Sequence, residues 1–165
     1  ADLLSRCPWV NADALAHRYE HAIEVQLPFL QLLYDARISL LPIAMKHYDP
    51  DECVALGEAL ADTLRGANAV VIASSDFSHY VPAAYARLQD AYALEAVERL
   101  DPLEFFQRVV ERQISACGYG PIAAMLAAAR ALGARRAKTL AYTTSGDITG
   151  DQTQVVGYAA VTVTR

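Results

Sequence analysis

The side chains best suited to chemistry follow an apolar run in the stretch VVIASSDFSHY, residues 70–80. The run leads directly into Asp76 and His79. A histidine can act as a general acid or base near neutral pH, or bind a metal through one ring nitrogen. An aspartate nearby can orient the imidazole ring. Serine and aspartate are also preferred at helix N-caps, so spacing alone leaves a capping role open.

A second stretch, ISACGYGP at 114–121, places Cys117 directly before Gly118 and close to Gly120. Glycines allow another backbone to approach closely or the chain to take a positive φ. A helix N-terminus stabilises a thiolate, so Cys117 could be a metal ligand or a nucleophile. The alternative is a small buried apolar residue, which is the usual fate of a free cysteine.

Two further stretches are rich in carboxylates. In YEHAIEVQLPFL, Glu20 and Glu24 are helical neighbours with His21 between them. They predict either a site that meets a cation or a solvated acidic first turn favoured by the helix dipole. In TSGDITGD, Asp147 and Asp151 resemble a turn, because the twelve-residue calcium pattern that ends in glutamate is missing.

The remaining histidines and cysteines have no supporting motif. His17 and His47 are predicted to be surface residues, and Cys53 is predicted to pack inside a helix. The three cysteines are odd in number and irregularly spaced, which argues against a disulfide framework and for a reducing, cytoplasmic compartment.

The elements that position these residues follow from hydrophobic periodicity. Helices are predicted at 19–34, 50–64, 82–99, 102–113 and 122–132, and strands at 37–45, 67–75, 137–145 and 155–164. Pro28 should kink the first helix or begin a new turn. The continuous apolar run at 67–75 is typical of a strand buried on both faces. Strands that alternate with helices predict an α/β fold with a mixed or mostly parallel sheet flanked by helices.

Composition limits the classes of function that this chain could have. The 165 residues are 54% hydrophobic and 20% charged, with a net charge of −5, which predicts one globular domain. The acidic balance argues against a nucleic-acid partner. No apolar run reaches the roughly 18 residues of a membrane span. The start, ADLLSRCPWV, lacks the pattern of a secretory signal.

Several motifs, taken in order, resemble the Memo family across residues 19–161. They are EHAIEVQLPFLQ, SSDFSHY, DAYALEAVERLDPLEFFQ, CGYGPI, and TSGDITGD followed by VVGYAA. Memo proteins resemble the class III extradiol dioxygenases, which use non-haem iron to open catechol-type rings. The resemblance implies that fold, and it makes residues 1–165 the C-terminal part of a single Memo-like domain.

By this resemblance His79 is an active-site histidine, with Asp76 beside it, and Cys117 helps to bind the metal. We therefore expect these three side chains to meet at one edge of the sheet. The family's other two metal ligands are histidines in an N-terminal segment, one of them in an HAG-type motif. This sequence has four histidines and none lies in such a motif. A facial triad needs three ligands, so this chain alone is expected to hold no stoichiometric iron, copper or zinc.

The function implied is a metal-dependent, dioxygenase-like oxidoreductase acting on a small aromatic or phenolic substrate. The alternative is a non-catalytic adaptor of the same fold that binds a metal or a peptide. The resemblance also implies partners, namely the AMMECR-type protein and the radical SAM protein of the AmmeMemoRadiSam system. Surface meant for a missing segment predicts that the chain either self-associates as a homo-oligomer or is accompanied by further N-terminal residues.

Overall fold

The computed structural model describes residues 2–35, 37–46 and 48–165 and shows helices packed with a small sheet. The helices are α1 (Asp2–Arg6), a 3₁₀ turn (Glu24–Gln26), α2 (Leu27–Tyr34), α3 (Pro50–Leu64), α4 (Ala83–Glu98), α5 (Pro102–Glu111), α6 (Tyr119–Ala131) and α7 (Gly146–Thr149). The strands are β1 (His79–Val81), β2 (Arg136–Thr144) and β3 (Val155–Thr164).

The sheet has the order β1-β3-β2, and both pairings are antiparallel. The long β2–β3 ladder runs from Arg136 opposite Thr164 to Thr144 opposite Gly157. Both long strands were predicted and are confirmed. A mixed or mostly parallel order is not what the described strands show.

Two predicted strands are wrong as elements of this structure. No strand is assigned to 37–45 or to 67–75. A strand is defined by hydrogen bonds to a neighbour, and within the described residues no backbone bond joins either segment to a strand. The predicted burial of segment 67–75 on both faces is wrong as well, because Val70 is 74% exposed and Ile72 is 49% exposed.

The helix predicted at 19–34 is shorter than expected. The α-helix begins at Leu27, after a 3₁₀ turn, and Pro28 is its second residue. A proline is tolerated there because the first turn of a helix leaves its N–H groups unpaired. The Glu20 carboxylate instead accepts hydrogen bonds from the backbone of Ala22 and Ile23, which forms a separate turn.

Two helices, α3 and α5, begin where capping residues predict. The Asp49 carboxylate accepts from two backbone N–H groups at the start of α3, and Asp101 does the same for α5. Each cap satisfies donors that would otherwise be unpaired.

The core lies between α4, α5 and α6 and one face of the sheet. Its fully buried side chains include Phe105, Val109 and Leu126. Ala124 and Ala128 of α6 pack in a second apolar cluster with residues of α1 and α3. The N-terminus of α6 and the segment before β1 are therefore anchored in packed structure, and these two places carry the site.

Candidate functional site

Asp76, His79 and Cys117 meet at the surface beside β1. Each offers one possible ligand atom, and these atoms all lie within 4.8 Å of one another. Over residues 2–35, 37–46 and 48–165 this is the only such group of three or more. The structure thus brings together the three residues that the sequence singled out, while their chemical roles stay predictions.

Backbone contacts hold Cys117 against Asp76. The N–H of Asp76 donates to Sγ of Cys117 at 3.2 Å, and the N–H of Cys117 donates to the Asp76 carbonyl at 3.2 Å. The thiol is nevertheless solvent-exposed, whereas Cys7 and Cys53 are buried. The packing interpretation therefore fits the other two cysteines, and Cys117 is left open to a ligand or reagent.

Gly118 permits this close approach. Its N–H donates to Oγ of Ser75 at 2.8 Å, and it is the N-cap of α6. A Cβ at this position would lie 2.5 Å from the Ser74 carbonyl oxygen and 2.7 Å from Cβ of Ser75. Any other residue would push the α6 N-terminus away from the 74–76 segment, so the predicted role of this glycine is confirmed.

Ser115 sets the orientation of the His79 ring. The backbone N–H of His79 donates to Oγ of Ser115 at 2.7 Å, and Nδ1 lies 2.7 Å from the Ser115 carbonyl oxygen. A carbonyl can only accept, so Nδ1 carries the hydrogen in this geometry. The lone pair of the neutral ring is then on Nε2, which lies 3.6 Å from Oδ2 of Asp76.

A β-bulge at Tyr80 interrupts β1 directly after His79. His79 faces Val156 and Val81 faces Val155, so Tyr80 is an extra residue in β1. Tyr80 has a φ of 56°, which is uncommon for a residue other than glycine. Bulges bend a strand and redirect its side chains. This one leaves β1 short and keeps His79 at the rim of the sheet.

Aromatic side chains support the Cys117 loop. The Tyr48 hydroxyl donates to the Cys117 carbonyl at 2.9 Å, and its ring packs edge-on against Tyr119 at 4.6 Å. Burial and the neighbouring Cys117 raise the pKa of Tyr48. The hydroxyl therefore stays protonated and remains a donor at neutral pH.

The other predicted positions do not join the site. Glu20 caps its own turn, and His21 and Glu24 are exposed. Asp147 accepts from Arg87 and from residues at the end of β2, so it is a structural anchor. His17 is half-buried, and His47 lies outside the described residues.

Sequence reasoning missed the residues that orient the site. Ser115, Ser75 and Tyr48 act through hydrogen bonds to residues far away in the chain. A lone serine or tyrosine has no periodicity or spacing that marks it, although Ser115 lies inside the stretch that was singled out for Cys117.

A family model described as Memo-like protein matches residues 1–162 of this chain. The chain belongs to the Memo family. The family suggested by the order of the motifs is therefore confirmed. In the described part of the chain, no helix is long and apolar enough to cross a membrane.

Archaeal relatives from the family are similar along nearly the whole chain. A MEMO1 family protein of Methanosarcina acetivorans is 48% identical over 156 residues, which is 93% of this chain and 58% of that protein. One from Methanocaldococcus jannaschii is 46% identical over 98% of this chain and 58% of its own length. One from Methanopyrus kandleri is 41% identical, again over 58% of its length. The chain thus spans somewhat more than half the length of these relatives.

Proposed function

We propose that this chain provides part of the active site of a metal-dependent oxidoreductase that resembles the non-haem iron dioxygenases. Its substrate would be a small aromatic or phenolic molecule. The observation that supports this is the group of Asp76, His79 and Cys117, whose ligand atoms lie within 4.8 Å of one another. A carboxylate oxygen, an imidazole nitrogen and a thiolate sulfur suit first-row transition ions, so the donor types fit iron, copper or zinc.

Cys117 would hold the ion through its exposed Sγ. The family resemblance assigns the two remaining ligands to histidines outside this sequence, which would complete the three protein ligands of a facial site. A bound ferrous ion would supply the dioxygen and electron-transfer chemistry that side chains lack.

His79 and Asp76 would handle the substrate proton. Nε2 of His79 is the nitrogen without hydrogen, so it can accept the proton of a phenolic hydroxyl. The Asp76 carboxylate, 3.6 Å away, would stabilise the imidazolium that forms. Loss of that proton raises the electron density on the phenol oxygen and prepares the ring for oxidation.

The proposal extends to the whole family protein. Residues 1–165 would be the C-terminal part of one Memo-like domain of the class III extradiol dioxygenase type. In that domain, the sheet would be mixed or mostly parallel. The resemblance further supports a cytoplasmic protein that works beside an AMMECR-type protein and a radical SAM protein.

A second candidate is a non-catalytic adaptor that binds a metal or a peptide. It is favoured by an apolar groove of about 780 Å³ lined by α2, α3 and the segments 37–43 and 68–74. Exposed apolar patches of this kind are typical of interaction sites. Peptide affinity that persists after the metal is removed would favour the adaptor, and metal-dependent oxygen uptake would favour the enzyme.

The decisive experiment is an anaerobic titration of the 165-residue chain with excess cobalt(II), followed by its thiolate-to-metal charge-transfer band. We expect a weak site whose band is lost in Cys117→Ser and retained in the matched control Cys53→Ala. A chain purified without added metal should hold less than one equivalent. One tightly held ion per chain, lost in Cys117→Ala, would contradict the division of ligands proposed above.

The same titration separates the roles of the other residues. His79→Gln and Asp76→Asn should keep the charge-transfer band, because the sulfur ligand is still present. In a preparation that consumes oxygen with catechols, both variants should lose turnover. A wild-type spectrum without any band that depends on Cys117 would overturn the proposed metal site.

A further inference from the structure

A buried carboxylate lies behind the site, on α4. Asp90 has 0% of its surface exposed, yet its oxygens accept from three donors. The Ser78 N–H donates at 3.1 Å, the Ser78 hydroxyl at 2.6 Å and the Tyr142 hydroxyl at 2.6 Å. Burial raises the pKa of Asp90, and these hydrogen bonds act in the opposite direction. Such a group is costly to bury unless its hydrogen bonds are made.

The opposite strand is shaped to receive this carboxylate. Gly157 of β3 faces Asp90, and a Cβ at Gly157 would collide with Oδ2 of Asp90 and would lie 2.7 Å from the Tyr142 hydroxyl. Gly157 is the third residue of β3, and a glycine inside a strand is otherwise unfavourable. The space that it leaves is filled by Asp90.

These contacts converge on the residues immediately before His79. The N–H of Phe77 donates to the Gly157 carbonyl at 2.9 Å, and the N–H of Gly157 donates to the Ser78 carbonyl at 2.8 Å. With Asp90 bound to both the N–H and the hydroxyl of Ser78, the backbone at residue 78 is held from α4 and from β3. The next N–H, that of His79, is held by Ser115.

We infer that Asp90 is a positioning residue, which fixes Ser78 so that the His79 ring keeps Nδ1 on Ser115 and presents Nε2 to Asp76 and Cys117. The inference rests on the proposed role of His79 as proton acceptor. Tyr142 and Gly157 support the same arrangement. The Tyr142 hydroxyl donates to the Asp90 carboxylate, and Gly157 leaves the space that the carboxylate occupies.

The orientation matters because only one ring nitrogen faces the site. If Ser78 moves, the 2.7 Å contact between Nδ1 and the Ser115 carbonyl is lost. The ring is then free to exchange its hydrogen between the two nitrogens, and Nε2 is protonated part of the time. A protonated Nε2 on a neutral ring cannot accept a substrate proton.

Nitrogen-15 NMR of the imidazole rings in the 165-residue chain tests this without any metal. The wild type should show His79 as a single Nδ1–H tautomer. Asp90→Asn keeps the volume but changes one acceptor into a donor, and Gly157→Ala displaces the carboxylate sterically. Both should replace the single-tautomer shifts by averaged shifts of two tautomers. Leu60→Ala, which opens a cavity in the second apolar cluster between α3 and α6, is the control for general loosening and should leave His79 unchanged.

The outcomes separate cleanly. Averaged shifts in Asp90→Asn and Gly157→Ala, with unchanged shifts in Leu60→Ala, support the inference. Unchanged shifts in both site variants, an equal change in Leu60→Ala, or two tautomers already in the wild type would each overturn it.

A second measurement keeps this inference apart from the proposed function. Where the protein consumes oxygen with catechols, Asp90→Asn should reduce turnover roughly tenfold or more, the usual cost of losing a partner that orients an active-site histidine. An intact charge-transfer band from Cys117 would show that the ion is still held. If no oxygen is consumed by the wild type, the proposed function fails, and the NMR experiment still decides the role of Asp90.

Discussion

At the scale of single residues, the fold gives the thiols of the three cysteines different exposure and reactivity. Cys53 is fully buried on α3, and burial, with Asp49 and Glu52 nearby, raises its pKa to about 11. Burial also raises the pKa of Cys7. Cys117 alone is exposed. Thiol chemistry in the folded chain is therefore confined to the candidate site.

This difference predicts the reactivity of the chain towards an aromatic disulfide reagent. At neutral pH one thiol should react rapidly in the folded protein, and all three should react in denaturant, because the thiolate is the reacting form. Cys117→Ser should remove the rapid phase, whereas Cys53→Ala should keep it. A rapid phase that survives in Cys117→Ser would show that one of the buried cysteines becomes accessible.

A second prediction concerns Asp147 and acid stability. The Thr144 N–H, the Arg87 guanidinium and the Thr143 hydroxyl bind this carboxylate and lower its pKa to about 2. Because the folded-state pKa is below the ordinary value of about 3.9, the ionised group stabilises the fold above that value. That stability is lost as the pH falls towards about 2.

The measurement is the melting temperature against pH for wild type and Asp147→Asn. The variant should melt lower at pH 7, and the gap should close between about pH 4 and pH 2. Asp62→Asn, which removes surface ion pairs with Arg6 and Arg65, is the matched control and should change little. A gap of equal size at all pH values would contradict the assignment.

At the scale of elements, the sequence predicts what is decided locally. The starts of α3 and α5 follow from Asp-Pro pairs, because the cap and the proline act within one turn. Segment 67–75 was predicted as a buried strand from its apolar run, but a strand also requires a neighbour. Asp90, which appeared in the sequence only as one more charged residue of a helix, takes part through contacts 12 and 52 residues away.

The cap of α5 gives a prediction at this scale. Asp101→Ala should destabilise the chain by about 0.5–2 kcal/mol, because two backbone N–H groups lose their acceptor. Asp101→Ser keeps an oxygen at the N-cap and should restore most of that loss. Urea unfolding measures both, and equal losses for alanine and serine would show that the carboxylate acts in some other way.

At the scale of the whole molecule, apolar surface is unevenly distributed. Exposed large side chains line the groove described above, and among them are Leu40, Leu41 and Val70, with exposures of 49%, 62% and 74%. Apolar area is worth roughly 25 cal/mol per Å² when buried. A few hundred Å² would therefore contribute several kcal/mol, against a total stability of about 5–15 kcal/mol for a typical domain.

We expect the 165-residue chain to self-associate through this groove unless further family sequence covers it. Size-exclusion chromatography with light scattering should show dimers or larger species as concentration rises. Val70→Lys should shift the chain towards monomer, while Ile148→Lys, an equally apolar and exposed position on α7, should not. A wild-type monomer at high concentration would contradict this prediction.

The hydrogen bonds between Asp76 and Cys117 also bear on the order in which parts of the chain fold. These residues are 41 positions apart, and the intervening chain forms β1, α4 and α5. A contact that closes so long a loop must offset the entropy of closure before it stabilises anything, and such contacts tend to slow folding. We therefore expect the candidate site to assemble late, after α4 and α5 have packed together, so that a nascent or partly unfolded chain carries a free thiol but no assembled site.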